Sequence, residues 1–157
     1  FHCIDSTFVK NIYGRDCIGR NPTDRGRKAT KVSALVDQDG IPISLRFFPA
    51  NISDQVTVRE TLQHAPRPRR GTPLYADKGY DSHNNRCIMR SFGYVERISR
   101  RRQHTHRLVN RRRNVVERTF SWLDKCRRLL VRYDSTIIAY EGWTWLGCIR
   151  ILGRRIQ

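Results

Sequence analysis

KVSALVDQDGIPISLRFFP, residues 31–49, decides the fold of this chain. Residues 31–37 and 41–49 read as strands, rich in β-branched and apolar side chains. Asp37-Gln38-Asp39-Gly40 between them ends in Asp-Gly, a tight-turn signal. Upstream, residues 4–12 mix β-branched and aromatic residues and read as a first strand. Residues 15–31 are rich in Gly, Pro and Arg and are expected to form a loop. The three strands together predict an antiparallel meander.

Downstream, Ser53 can cap a helix to about residue 64, with Asp54 in its positive first turn. Pro66, Pro68 and Gly71 then break the chain. Leu74-Tyr75-Ala76-Asp77 reads as a short apolar strand ending in an acid. Ser82 opens a helix to about Phe92, which Gly93 stops, and residues 94–98 form a fifth strand. The last third is helical, over about 108–133 and about 138–156. The order βββαβαβ followed by helices predicts an α/β fold with a mixed sheet flanked by helices. In such sheets sites lie at the carboxyl ends of strands.

Length and composition narrow the function. The 157 residues suit one domain, 1–157, with a real core. Lys and Arg number 31 against 14 acids, a formal net charge of +17, and 26 of the 31 are Arg. Such a charge attracts polyanions and points to nucleic acid or an anionic surface. A hydrophobic content of 38% excludes a disordered basic tail. No run of eighteen apolar residues exists, so no ordinary transmembrane helix is expected, and the N-terminus has no secretory signal pattern. The five cysteines are odd in number and contain no C-x-x-C pair. Reduced, buried thiols in an intracellular protein are the expectation.

The chemistry is expected on the first long C-terminal helix. At one hundred degrees per residue, Val115, Thr119, Trp122, Cys126 and Leu129 cluster, and Val116, Phe120, Leu123 and Leu130 extend that apolar half. Arg113, Glu117 and Asp124 fall on the opposite half, and Arg113 and Glu117 are an i, i+4 pair. Asp5 lies in the first strand and Asp77 ends the fourth. A buried carboxylate costs several kcal/mol unless paired or bound to a cation. Three converging carboxylates call for a divalent metal, and hard oxygen ligands suit Mg²⁺ or Mn²⁺. Two such ions serve phosphodiester chemistry, with a basic surface holding the polyanion. The plainer reading stands beside this one: Asp77-Lys78-Gly79 as a turn, and Glu117 paired with Arg113 on a wet helix face.

Five segments then carry a resemblance. IDST at 4–7, GRNPTDRG at 19–26, ADKGYD at 76–81, RNVVERTFSWL at 113–123 and RRLLVRY at 127–133 resemble, in order, bacterial DDE transposases of the insertion-sequence-five family. The resemblance spans nearly the whole chain. It implies an RNase H-like fold and a metal-dependent site of Asp5, Asp77 and Glu117, with Mg²⁺ or Mn²⁺ as cofactor. The family signature Tyr-x₂-Arg-x₃-Glu-x₆-Lys is matched by Arg113 and Glu117. Asn110 stands at its Tyr and Asp124 at its Lys, with Lys125 one place later.

The implied activity is DNA strand cleavage at an element end, then transfer to target DNA. The implied partner is double-stranded DNA, bound by a homo-oligomer on paired ends, in the bacterial cytoplasm at the nucleoid. An N-terminal DNA-binding region, which relatives carry and sometimes join by frameshift fusion, is expected to be absent here. DNA contacts are expected from Lys78, Arg100, Arg101, Arg102, Arg111, Arg112, Arg113 and Lys125, since residues 97–113 hold eight Arg.

Several other residues have competing readings. Asp54 is a helix cap or a support for the site. Asp81 is a turn or cap residue, and Glu96 is a lesser rival for the third acid. His104 and His106 read as part of a solvated basic loop that touches DNA, with a metal site as the lesser alternative. Trp122 is a core residue rather than a base-stacking one. Two further functions compete with the transposase: a decayed or domesticated basic DNA-binding protein, and a structure-specific nuclease of the same fold.

Overall fold

The computed structural model describes residues 1–98 and 107–153. The meander forms as expected. Strand β1 (His2–Asn11) pairs antiparallel with β3 (Lys28–Asp37), and β3 with β4 (Pro42–Pro49). Gly40, at φ +83°, turns the chain between β3 and β4. After helix α1 (Asp54–Gln63), strand β5 (Thr72–Ala76) pairs parallel with the free side of β1. A 3₁₀ turn (Lys78–Tyr80) and helix α2 (His83–Ser91) lead to β6 (Tyr94–Ile98), parallel to β5. The principal strands thus run in the order β4-β3-β1-β5-β6.

Two cores cover the two faces. On one, Cys3, Val32, Ala34, Val36 and Leu45 pack under α3 (Arg107–Asp124) and α5 (Ile137–Gly153) through Val116, Leu123, Tyr140 and Cys148. On the other, Ile4, Leu35, Leu74 and Ala76 pack under Val58 and Leu62 of α1 and Ile88 and Met89 of α2. Being covered on both sides, β3 is buried from Ala29 through Val36 instead of alternating. Helix α3 is pinned by Thr119, whose buried Oγ1 lies 2.7 Å from the Gly40 carbonyl oxygen.

Two expectations are corrected. The stretch 15–31 is not all loop. It holds the short strand β2 (Gly19–Arg20), paired antiparallel with Ala29 and Lys28 at the start of β3. The helix expected over 108–133 ends at Asp124. A four-residue helix α4 (Arg127–Leu130) follows, then β7 (Val131–Arg132) beside Lys10 and Asn11 of β1. Pairing with β1 and burial of the Arg132 side chain among backbone acceptors override the helical pattern there. Leu130 is consequently half exposed rather than in the core. Trp122 does pack against the α3–α5 core, as expected.

Candidate active site

Sheet register brings the first two acids together. Cys3 of β1 lies beside Tyr75 of β5 in a parallel pairing, so Asp5 and Asp77, two residues further along each chain, stand level on the same face. Asp77 is the residue before the 3₁₀ turn, with extended backbone (φ −75°, ψ 164°). Helix α3 crosses this face, held by Val116 in the core and Thr119 on the Gly40 turn. The flank of α3 beside Val116 carries Arg113 and Glu117; Glu117 is exposed as the helical projection predicts, but Arg113 turns inward onto Asp5 instead of away from the core.

The Arg113 guanidinium is the centre of the constellation. Nη2 lies 3.4 Å from Asp5 Oδ2 and 3.3 Å from Glu117 Oε1, and Nη1 lies 3.2 Å from Asp77 Oδ1. Three carboxylates, 108 and 36 residues away in sequence and one helical turn along, converge on one cation. The Arg113 side chain is 15% exposed and that of Asp5 18%, whereas Asp77 and Glu117 are half exposed. Burial pushes the Asp5 carboxyl above its ordinary value, against the lowering effects of the Ser6 N–H, 2.9 Å from Oδ1, and of Arg113. The Arg113 Nε is buried with no acceptor among the described residues.

The donor set fits a hard divalent cation in type: carboxylate oxygens only, carried on a central strand, a strand end and a helix. As arranged, they surround a guanidinium. Among the described residues no three His, Cys, Asp or Glu side chains already lie close enough to enclose an ion.

Two residues at the edge of the site went unread or half-read in the sequence. Asp54, at the start of α1, accepts from Lys31 Nζ at 3.1 Å, and a Cβ built on Gly79 would lie 4.0 Å from Asp54 Oδ2. Its carboxylate therefore faces the turn after Asp77. Lys31, 5% exposed, also donates to the Ile52 carbonyl at 2.6 Å and lies over the Phe8 ring. The signal was legible: a lysine in a mostly apolar strand is rarely buried without a partner. Tyr80, also buried, donates to Ser6 Oγ at 3.2 Å, and burial holds its phenol well above the ordinary range.

The other expected residues separate. Lys78 is half-buried in the 3₁₀ turn, and Arg111, Arg112 and Lys125 are exposed. The Arg112 guanidinium stacks on Phe1 at 4.4 Å. Arg100, Arg101, Arg102, His104 and His106 lie outside the described residues. Glu96 is engaged by Arg90 and Arg86 on β6, away from the three acids, and Asp81 pairs with Arg86 at 2.8 Å. Burial raises the Asp124 carboxyl. No described helix is long and apolar enough to cross a membrane.

Comparisons with known proteins agree with this architecture. Residues 1–152 match the family described as Transposase DDE domain. The putative transposase for insertion sequence element IS402 of Burkholderia cepacia is 35% identical over 147 residues, covering 88% of this chain and 70% of that protein. The transposase for insertion sequence element IS1106 of Neisseria meningitidis serogroup B is 31% identical over 105 residues, 60% of this chain and 35% of that one. Among solved structures, the catalytic core domain of BIV integrase superposes with a TM-score of 0.54 at 14% identity, covering 94% of this chain and 80% of that one. That likeness speaks for the fold alone, and it is the RNase H-like fold expected from the motifs. A sheet of this order, acids on β1 and just past the end of its parallel neighbour β5, and a match over nearly every residue have one common reading: the chain belongs to the DDE transposase family.

Proposed function

We propose that this chain is the catalytic domain of an insertion-sequence transposase of the insertion-sequence-five kind, cleaving DNA at element ends and joining it to target DNA. The carrying observation is the convergence of Asp5, Asp77 and Glu117 on one cation. These acids would hold Mg²⁺ or Mn²⁺, which when bound supplies Lewis acidity and an activated oxygen.

The chain's own residues do the rest. Asp5 is oriented by the Ser6 N–H on Oδ1, which leaves Oδ2 toward the site. Glu117, half exposed at the rim, closes the site from the helix side. Exposed Arg111, Arg112 and Lys125 hold the sugar–phosphate backbone, so the phosphodiester lies within reach of the acids. Water adds to phosphorus and the P–O3′ bond breaks, leaving a 3′-OH on the element end. That hydroxyl then attacks a target phosphodiester and releases a target 3′-OH. The partner is double-stranded DNA at both stages, with two or more copies holding paired ends.

The second reading is a decayed DNA-binding protein, favoured by Asn110 and Asp124 at the Tyr and Lys signature positions. Nicking of supercoiled plasmid with Mn²⁺ or Mg²⁺ separates the two. The chain should nick, and Glu117→Gln should not, with equal DNA binding at matched salt. Binding without nicking by either protein would favour the decayed reading.

A further inference from the structure

Arg113 both gathers the three acids and stands where an ion between them would lie. Its guanidinium contacts Asp5, Asp77 and Glu117 at 3.2 to 3.4 Å, longer than close charge-assisted hydrogen bonds. A divalent ion would draw the same oxygens to about 2.0–2.2 Å and carry twice the charge, so ion and guanidinium compete for them. Among the described residues nothing else anchors the arginine head: its Nε is buried with no acceptor there. It sits directly beside Arg111 and Arg112, both exposed on the same helix.

We propose that Arg113 is an internal counter-ion that holds Asp5, Asp77 and Glu117 together before divalent ions bind, gives them up when ions enter, and then takes a backbone phosphate of bound DNA. Ion binding and DNA binding are coupled through this one side chain, and by linkage each strengthens the other by the same factor. The inference rests on reading the three acids as ion ligands. It adds that the acids are already occupied by a cation at rest, which the ion must displace.

The test is Mn²⁺ affinity of the whole chain without DNA, read from the electron paramagnetic resonance signal of free Mn²⁺. The proteins compared are the unmodified chain, Arg113→Gln, Arg113→Lys and Asp77→Asn. Removing the resident cation should tighten Mn²⁺ binding about tenfold in Arg113→Gln, within the usual span of coupling between sites. Arg113→Lys, a point charge that cannot fork across three acids, should tighten it less. It also serves where Arg113→Gln does not fold. A purely structural arginine would leave affinity equal or weaker in both variants, and that result overturns the inference. If Mn²⁺ is bound by the unmodified chain, lost in Asp77→Asn and unchanged in the Arg113 variants, the ligand reading stands and the displacement falls. If no protein shows Mn²⁺ binding that depends on Asp77, the ligand reading falls and takes the inference with it.

Discussion

Two inward-facing arginines, Arg113 on α3 and Arg132 in β7, show how differently one side chain can be used against the same sheet. Arg132, in β7, is fully buried, and all three of its side-chain nitrogens have partners. Nε donates to the Asp134 carbonyl at 3.2 Å. Nη1 donates to the Asp16 carbonyl at 2.8 Å and to Thr30 Oγ1 at 3.1 Å. Nη2 donates to the Ser135 carbonyl at 3.4 Å and pairs with the Asp16 carboxylate. Most of those acceptors are backbone carbonyls, which cannot move without the chain moving. Among the described residues Arg113 has only carboxylates for partners, two of them half exposed, and its Nε meets no acceptor. The first arrangement is a lock that ties the 16–30 segment to the end of α4. The second is a set of charges that, on the proposed reading, another cation would take over.

The comparison breaks most visibly at Glu117. Glu117→Gln is expected to reduce Mn²⁺-dependent nicking by about a thousandfold, roughly 4 kcal/mol of activation free energy, while the urea midpoint stays within error of the parent. A fall in both would make Glu117 a structural residue like those around Arg132.

Arg132→Met comes next. It strips a buried cation from five acceptors, and unfolding in urea should show a loss of about 3 kcal/mol or more. The matching Arg113→Met should cost only about 1 kcal/mol without metal, because Asp77 and Glu117 can turn to water. Equal losses at the two positions would erase the distinction.

The smallest effect belongs to Asp5→Asn. Burial raises the Asp5 carboxyl, so the folded chain holds that proton more tightly than the unfolded one. Stability is then lost as pH rises from the ordinary carboxylate range through the raised value. Without metal, Asp5→Asn should therefore melt slightly above the parent at neutral pH, and the gap should close toward acid. A gap that widens toward acid would reverse the assigned sign.

Much of the fold was legible because its signals are local. The Asp-Gly turn, the apolar runs of β3 and β4, the short β5 just before Asp77, and Ser82, whose side chain accepts from the Asn85 N–H at the start of α2, each rest on neighbours a few residues apart. The failures are non-local. Gly19 and Arg20 look like loop until Ala29 and Lys28 pair with them. The helical pattern through 125–133 is sound by periodicity, yet β1 claims Val131 and Arg132, and Leu130 turns outward.

The candidate site divides in the same way. The acids Asp5, Asp77 and Glu117 could be chosen from the sequence because acids are few, with four Glu and ten Asp, and because three of them fall on ordered elements within motifs. The i, i+4 placement of Arg113 and Glu117 follows from helix geometry alone. That Arg113 also reaches Asp5 and Asp77, that Lys31 turns Asp54 toward Gly79, and that Arg132 became the lock could come only from the folded sheet. Charge and periodicity are properties of residues and their near neighbours, and the sequence determined those. The choice of which buried cation meets which distant carboxylate depends on strand register and helix docking, which exist only once the chain has closed on itself.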